Sequence, residues 1–342
     1  MLLSVTMSGC DPSSYKAPLV EQVAVPYEKS AAVVVLPAIA GGRLPDGPVK
    51  RWLARADVRQ LEEPRELLSR ILEVLDLPCP ESGLGALRMW GQTGERPTVW
   101  IAAAEPVYLE PRLDHICLHA QNEKAAPAQD LRPLIDHLQH TLGEDKNFNF
   151  GFARLGAYSY LRSDEPIATA DMPAYVVHRD MPNEYMPQGE GTGSYRNLVS
   201  EVEMALHDHE VNLRRTNTGL QPINCFWLWG GGMAPDQETV PHPPLFANDP
   251  LLVGHWLSKT GVVASWPGDI ASCLDASLAG FVAVVPDEDN PELLNRCLGD
   301  LREHLASGRL SRLTLMFRDG MEATVLPEHK WRVWRRAHEL LD

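Results

Sequence analysis

The chain has 342 residues, 44% of them hydrophobic, enough to bury a large core as one large domain or two smaller ones. Lysine plus arginine number 31 against 46 aspartate plus glutamate, a formal net charge of -15. This acidic balance argues against nucleic acid or an anionic membrane surface as the main partner, because both need a basic face to neutralise phosphate.

Residues 1–30 read as a weakly structured extension. Its opening, MLLSVTMSGC, imitates a lipoprotein leader ending at Cys10, but it has no basic start and Ser4, Thr6 and Ser8 interrupt its apolar run. No apolar run nears the ~18 residues that span a bilayer. The six cysteines form no CxxC pair and several sit inside apolar runs, so the expected setting is the reducing cytoplasm, with buried thiols. Residues 31–36 are continuously apolar and β-branched, the pattern of a strand covered on both faces. Residues 62–76 place Leu67, Leu68, Ile71, Leu72 and Leu75 on one helical stripe.

Short strands are expected at 99–102 and 116–118, a helix at 130–142, and aromatic-rich β structure around a glycine turn at 148–161. Residues 180–193 are a loop punctuated by Pro and Gly. Ser194 is placed to cap a long helix that runs to Thr218 and stops at Gly219. A strand at 224–229 follows, then a Pro-rich loop, helices at 251–260 and 269–279, a strand at 280–285, a helix at 291–306, a strand at 312–317 and a last helix carrying Trp331 and Trp334, either docked on the domain or binding a partner. Strands alternating with helices predict an α/β domain over 31–342, a mostly parallel sheet with helices on both faces, with an inserted α+β region at about 95–180.

The stretch NCFWLWGGGM is the most unusual. Alternation puts Cys225, Trp227 and Trp229 on one face and Asn224, Phe226 and Leu228 on the other, so a central strand is expected. Gly230, Gly231 and Gly232 then fall at its C-terminal end, where open α/β sheets place ligand crevices. A tight turn beside an aromatic core is the alternative. On the preceding helix Glu201, Asp208, Asn212 and Arg215 share one face, either a solvated surface or, with the glycines, an anion pocket in which Arg215 grips phosphate or carboxylate. His115 and His119 lie ~13 Å apart along a strand, too far to share one ion. His137 and His140, three apart on a helical face, could touch one metal but read as a solvated face, with no third ligand evident. Asp287, Asp289 and Asp319 fall near neighbouring strand ends, oxygen donors of the type Mg²⁺ prefers. Glu105, before Pro106, can cap a helix, pair with an arginine or line a pocket.

The block 181–232, containing GEGTGSYRNLVSEVEMALHDHEVNLRR and NCFWLWGGG, resembles bacterial cofactor-independent phosphoglycerate mutase-like proteins of the RpfE regulatory type, and more distantly the archaeal-type mutases. AAEPVYLEPRLDHICL and VVVLPAIAG are weaker parts of the same resemblance. It implies an alkaline-phosphatase-like core. Those mutases open with a strand ending in Asp-Gly, whose carboxylate binds a divalent metal beside a serine nucleophile, whereas this chain reads Leu36-Pro37-Ala38-Ile39-Ala40-Gly41. Near the C-terminus they carry an Asp-His pair where this chain has Arg318-Asp319-Gly320, and Asp287 and Asp289 stand where they have both Asp and His.

A two-metal site needs several fixed anionic or imidazole donors. The resemblance with these departures therefore implies a ligand-binding or regulatory pseudoenzyme without a cofactor. Its site would be Asn212, Arg215, Asn224, Gly230, Gly231 and Gly232, supported by Glu190, Arg196 and Glu201, and would take a small phosphorylated anion or a protein partner. The alternatives are a working mutase or phosphohydrolase using Asp287, Asp289 and Asp319 with Mn²⁺ or Mg²⁺, and a structural interaction protein.

Overall fold

In a computed structural model of the chain, which describes residues 30–335 except 40–43, 45, 64, 144–148, 190, 278 and 289, two sheets carry the fold. The expected extension at 1–30 lies, but for Ser30, outside the described residues. The first half of the chain forms β1 (Ala31–Leu36), α1 (Pro48–Leu53), β2 (Asp57–Gln60), α2 (Leu67–Val74), α3 (Leu84–Thr93), β3 (Trp100–Pro111), β4 (Ile116–Ala120), α4 (Ala128–Leu138), β5 (Phe150–Leu155) and β6 (Tyr158–Ser163). The second half forms α5 (Thr192–His207), α6 (Glu210–Asn217), β7 (Cys225–Gly232), β8 (Leu245–Phe246), α7 (Pro250–Ser258), β9 (Val263–Ala264), α8 (Ile270–Ala276), β10 (Gly280–Val284), α9 (Pro291–Ala306), β11 (Arg312–Phe317) and β12 (Met321–Val325).

The larger sheet runs β2-β12-β11-β1-β10-β8-β9 and is parallel except where β12 returns against β11 and β2 against β12. β1 is central, with Val33 beside Val282 of β10 and Thr314 of β11. Ala32, Val34 and Leu36 pack into one core with Leu53 of α1, Ile270 of α8 and Leu298 of α9. Val33 and Val35 pack into the other with Leu68 of α2 and Leu252 of α7. Burial on both faces is why this strand is apolar without alternation. The expected class, α/β with a mostly parallel sheet flanked by helices, is the one observed. Among the described residues no helix is long and apolar enough to cross a membrane.

The second sheet, β3 to β7, is antiparallel and extends from Trp100 to Gly232, so the α+β region runs well past the expected 180. It contains β7, which was expected in the parallel sheet. Instead β7 pairs antiparallel with β3, Trp227 opposite Glu105 and Cys225 opposite Val107. Its other edge is covered by a loop: Gly230 N–H donates to Ala170 O, Ala170 N–H to Leu228 O and the Trp227 indole to Met172 O. The Trp227 ring meets Tyr195 of α5 edge-on at 6.1 Å. Alternation reports how many faces are covered and says nothing of which sheet supplies the partner.

The long helix also differs from expectation. It breaks at Asp208, and His209 caps α6 through Nδ1, which accepts the Val211 N–H at 3.2 Å. α5 begins at Thr192 after Gly191, not from a Ser194 cap. The expected terminal helix is a short 3-10 turn, Pro327–Trp331, and Trp331 and Trp334 are 70% and 74% exposed. Arg332 and Arg335 dock instead, both on Asp57.

In α7, His255 is buried beside His242 at 5.4 Å between ring centres, and neither of its ring nitrogens has a hydrogen-bond partner among the described residues. Burial pushes this imidazole down to about 3 from 6.5. Between those values the unfolded chain binds a proton that the native chain refuses, so stability rises with pH. The effect is roughly 1.4 kcal/mol per pH unit for this residue. His255→Phe should flatten the dependence of unfolding free energy on pH below 6.5 by that slope; equal slopes in variant and wild type would contradict the assignment.

Candidate functional site

The structure gives the residues of the expected anion pocket internal work. Arg215 is buried, and its guanidinium donates to Asp130 Oδ2 at 2.7 Å, Gln221 O at 2.9 Å and Ala125 O at 2.7 Å. Asn212 donates to Leu206 O and Ile223 O and accepts the Ile223 N–H at 2.8 Å. Asn224 makes a two-way pair with the Leu109 backbone on β3. After the break at Asp208–His209, Asn212 and Arg215 of α6 are both buried. Arg196 is exposed, and Glu201 lines a shallow cavity with Ser194 and Asn197. Glu190 and Asp289 lie outside the described residues.

The glycines meet the start of α3 and the Trp100 ring, not Arg215. A Cβ on Gly232 would stand 2.5 Å from Gly83 N, one on Gly230 2.9 Å from Leu84 Cβ, and one on Gly231 2.3 Å from the Trp100 ring. The Gly231 N–H donates to Thr169 Oγ1 and the Gly230 N–H to Ala170 O. Gly230 and Gly232 let the start of α3 lie directly on β7, the close backbone approach that an absent side chain permits, and Gly231 makes room for the Trp100 ring.

At the strand ends, Asp319 accepts the N–H groups of Ile39 and Met321, each at 3.2 Å, and so closes the β11–β12 turn. Asp287 is exposed, with Arg318 Nε 3.8 Å away. Among the described residues only Glu110, Cys117 and His119, on β3 and β4, form a set of three His, Cys, Asp or Glu with donor atoms within 4.8 Å of one another. No such set occurs at the parallel-strand ends among the described residues, which leave out 40–43 and Asp289. His119 meets Glu110 and Cys117 across the hairpin, a neighbourhood that spacing along one strand does not reveal.

A cavity of about 450 Å³ lies between the second sheet and the loop after β10, lined among others by Arg88, Glu105, Tyr158, Tyr175, His178 and Asp287. Arg88 of α3 is buried, donating to Glu105 Oε1 at 2.7 Å and Ser159 O at 3.0 Å. Its guanidinium sits 4.9 Å from the Tyr160 ring centre and 5.1 Å from that of Tyr158, within cation–π range. Glu105 Oε2 accepts the Ala174 N–H at 2.8 Å. Of the roles open to Glu105, it pairs with an arginine and lines a pocket. Arg88 Nε and Ser159 Oγ are buried without a hydrogen-bond partner among the described residues.

Burial raises the Tyr158 phenol and pushes that of Tyr160 up to about 12, so both stay neutral at pH 7. Burial, with the charge of Arg179 adding to it, lowers the His178 imidazole, whose Nδ1 accepts the Ala120 N–H. The only cation among the named lining groups is thus neutralised by Glu105. The remaining groups, with Glu123 and Asp287, can both donate to and accept from a small polar molecule. Sequence reasoning missed Arg88. The available signal was glycine at helical spacing around it, Gly85 and Gly91, which marks a closely approached and therefore buried face.

No protein-family model matches the chain. Over limited segments it is distantly similar to 2,3-bisphosphoglycerate-independent phosphoglycerate mutases. It is 30% identical over 112 residues to that of Methanosarcina barkeri, covering 32% of this chain and 27% of that one. It is 29% identical over 105 residues to that of Methanothrix thermoacetophila, covering 29% and 26%. For the mutase of Methanosarcina acetivorans the match is 31% over 67 residues, covering 20% and 17%. The matched segments span 17% to 27% of the length of these relatives. Among solved structures, the cofactor-independent phosphoglycerate mutase of Thermoplasma acidophilum superposes with a TM-score of 0.40 at 16% identity, covering 87% of this chain and 89% of that one. The PH0037 protein of Pyrococcus horikoshii gives 0.49 at 12% identity, covering 87% of each.

Proposed function

We propose that the chain is a phosphoglycerate mutase-like protein of alkaline-phosphatase-like fold that has lost metal phosphotransfer and works as a ligand-binding, regulatory pseudoenzyme. The observation that carries this reading is the state of the strand-end carboxylates. Asp319 is spent on two backbone N–H groups and Asp287 stands alone among the described residues beside Arg318. The cavity at Arg88 and Glu105 is the ligand site on this reading. Because its buried cation is already paired, it suits a small hydroxylated molecule better than a multiply charged phosphate. The partial similarity to mutases supports the lineage.

The deciding measurement is interconversion of 3-phosphoglycerate and 2-phosphoglycerate by the full chain with Mn²⁺ or Mg²⁺, beside an active mutase as control. We expect no turnover above the metal-only background. The second reading, an active mutase on a rearranged site of Asp287, Asp289 and Asp319, rests on the same similarity. Metal-dependent turnover that Asp319→Ala abolishes would establish it and overturn the first.

A further inference from the structure

Glu110 of β3 stands directly opposite Cys117 of β4, and His119 lies two residues further along, so the three side chains project from one face of the hairpin. Cys117 forms a buried floor, while the Glu110 and His119 side chains are 30% and 15% exposed, a site that is fixed but reachable. His119 Nε2 is 2.8 Å from Glu110 Oε2. The imidazole is held in place, stacked on Tyr108 and met edge-on by His178, each at 5.9 Å between ring centres. Arg112 donates to Glu110 Oε2 through Nε at 3.0 Å and Nη2 at 2.7 Å.

We propose that Glu110, Cys117 and His119 form a zinc-type metal site with three protein donors and one position open to water or a small ligand. The donor chemistry selects the ion. One sulfur, one imidazole and one carboxylate suit Zn²⁺, whereas Mg²⁺ and Ca²⁺ select oxygen-only sets. Bonds of about 2.0–2.3 Å at tetrahedral angles place donors roughly 3.5 Å apart, so a small closure of side chains already within 4.8 Å suffices. The His119–Glu110 hydrogen bond gives way to two bonds to the ion, with the imidazole proton carried on Nδ1. The Cys117 thiol releases its proton to solvent as the thiolate forms, so binding is tighter at higher pH. Arg112 stays on the carboxylate as an outer partner, orienting it. The site lies on the second sheet and is independent of whether the chain turns over phosphoglycerate.

The test is calorimetric titration of chelator-treated full chain with Zn²⁺ alone, paired with the absorption spectrum of the Co²⁺ form. Wild type should bind one ion per chain, and the Co²⁺ form should show a thiolate charge-transfer band. Cys117→Ser should remove the band, and it and His119→Asn should each weaken Zn²⁺ binding by roughly 100-fold or more. Cys79→Ser, at an exposed thiol elsewhere, should change nothing. No Zn²⁺ uptake by wild type, or equal uptake by both site variants, overturns the proposal. Should Cys117→Ser fail to fold, His119→Asn at its partly exposed position decides the matter, with the wild-type Co²⁺ spectrum read beside it.

Discussion

Arg215→Met is expected to lower the free energy of unfolding by about 3–5 kcal/mol, the cost of breaking a buried ion pair from one side. Among the described residues Asp130 is left with Arg214, whose side chain is 57% exposed and therefore screened by water. The carbonyls of Ala125 and Gln221 lose their donor at the same time, but both residues are exposed and water can replace it, so the stranded Asp130 charge dominates the cost. Urea denaturation measures the loss. Adding Asp130→Asn to the variant should recover part of it, because the stranded charge is removed. A loss below about 1 kcal/mol accompanied by a changed ligand affinity would instead make Arg215 the anion-gripping residue its sequence position suggests.

Gly254→Ala should cost about 3 kcal/mol, at the upper end of overpacking. A methyl group there would stand 1.8 Å from Leu87 O, and the reciprocal Gly91 position would put one 1.9 Å from Pro250 O. α3 and α7 therefore cross backbone to backbone with no room for a methyl group. Gly299→Ala in α9, which meets nothing within 4 Å, is the control and should stabilise by roughly 0.5–1 kcal/mol through helix propensity. Matching melting temperatures for the two variants would mean that α3 is free to shift. Because α3 carries Arg88, Gly254→Ala should also disturb the cavity, whereas Gly299→Ala should leave it intact.

Elements with a clear apolar signature were legible in the sequence. The β1 run, the stripe of α2 and the extents of α9, β10 and β11 stand where continuous apolarity and helical spacing place them. α3 was not legible, because LGALRMWGQT holds two glycines that weaken helix propensity and are there for contact. The break after His207 was hidden because Asp208 and His209 are tolerated inside helices, and only tertiary packing gives His209 its capping role. Arg215 and Arg88 show the limit for sites. An arginine on a polar face reads as a hand held out to a ligand, and an arginine among apolar residues goes unnoticed. Here the first is locked to Asp130, and the second lies against a cavity.

One apolar cluster runs unbroken from Val33, Val282 and Met316 through Leu68 and Leu87 to Ile101, Trp227 and Tyr195. Prising the two layers apart like jaws would wet that whole seam, at about 25 cal/mol for each Å² of grease exposed. On the proposed reading, a ligand of the Arg88 cavity is expected to enter beside Asn122 and Tyr175, which line it, with the two layers held together.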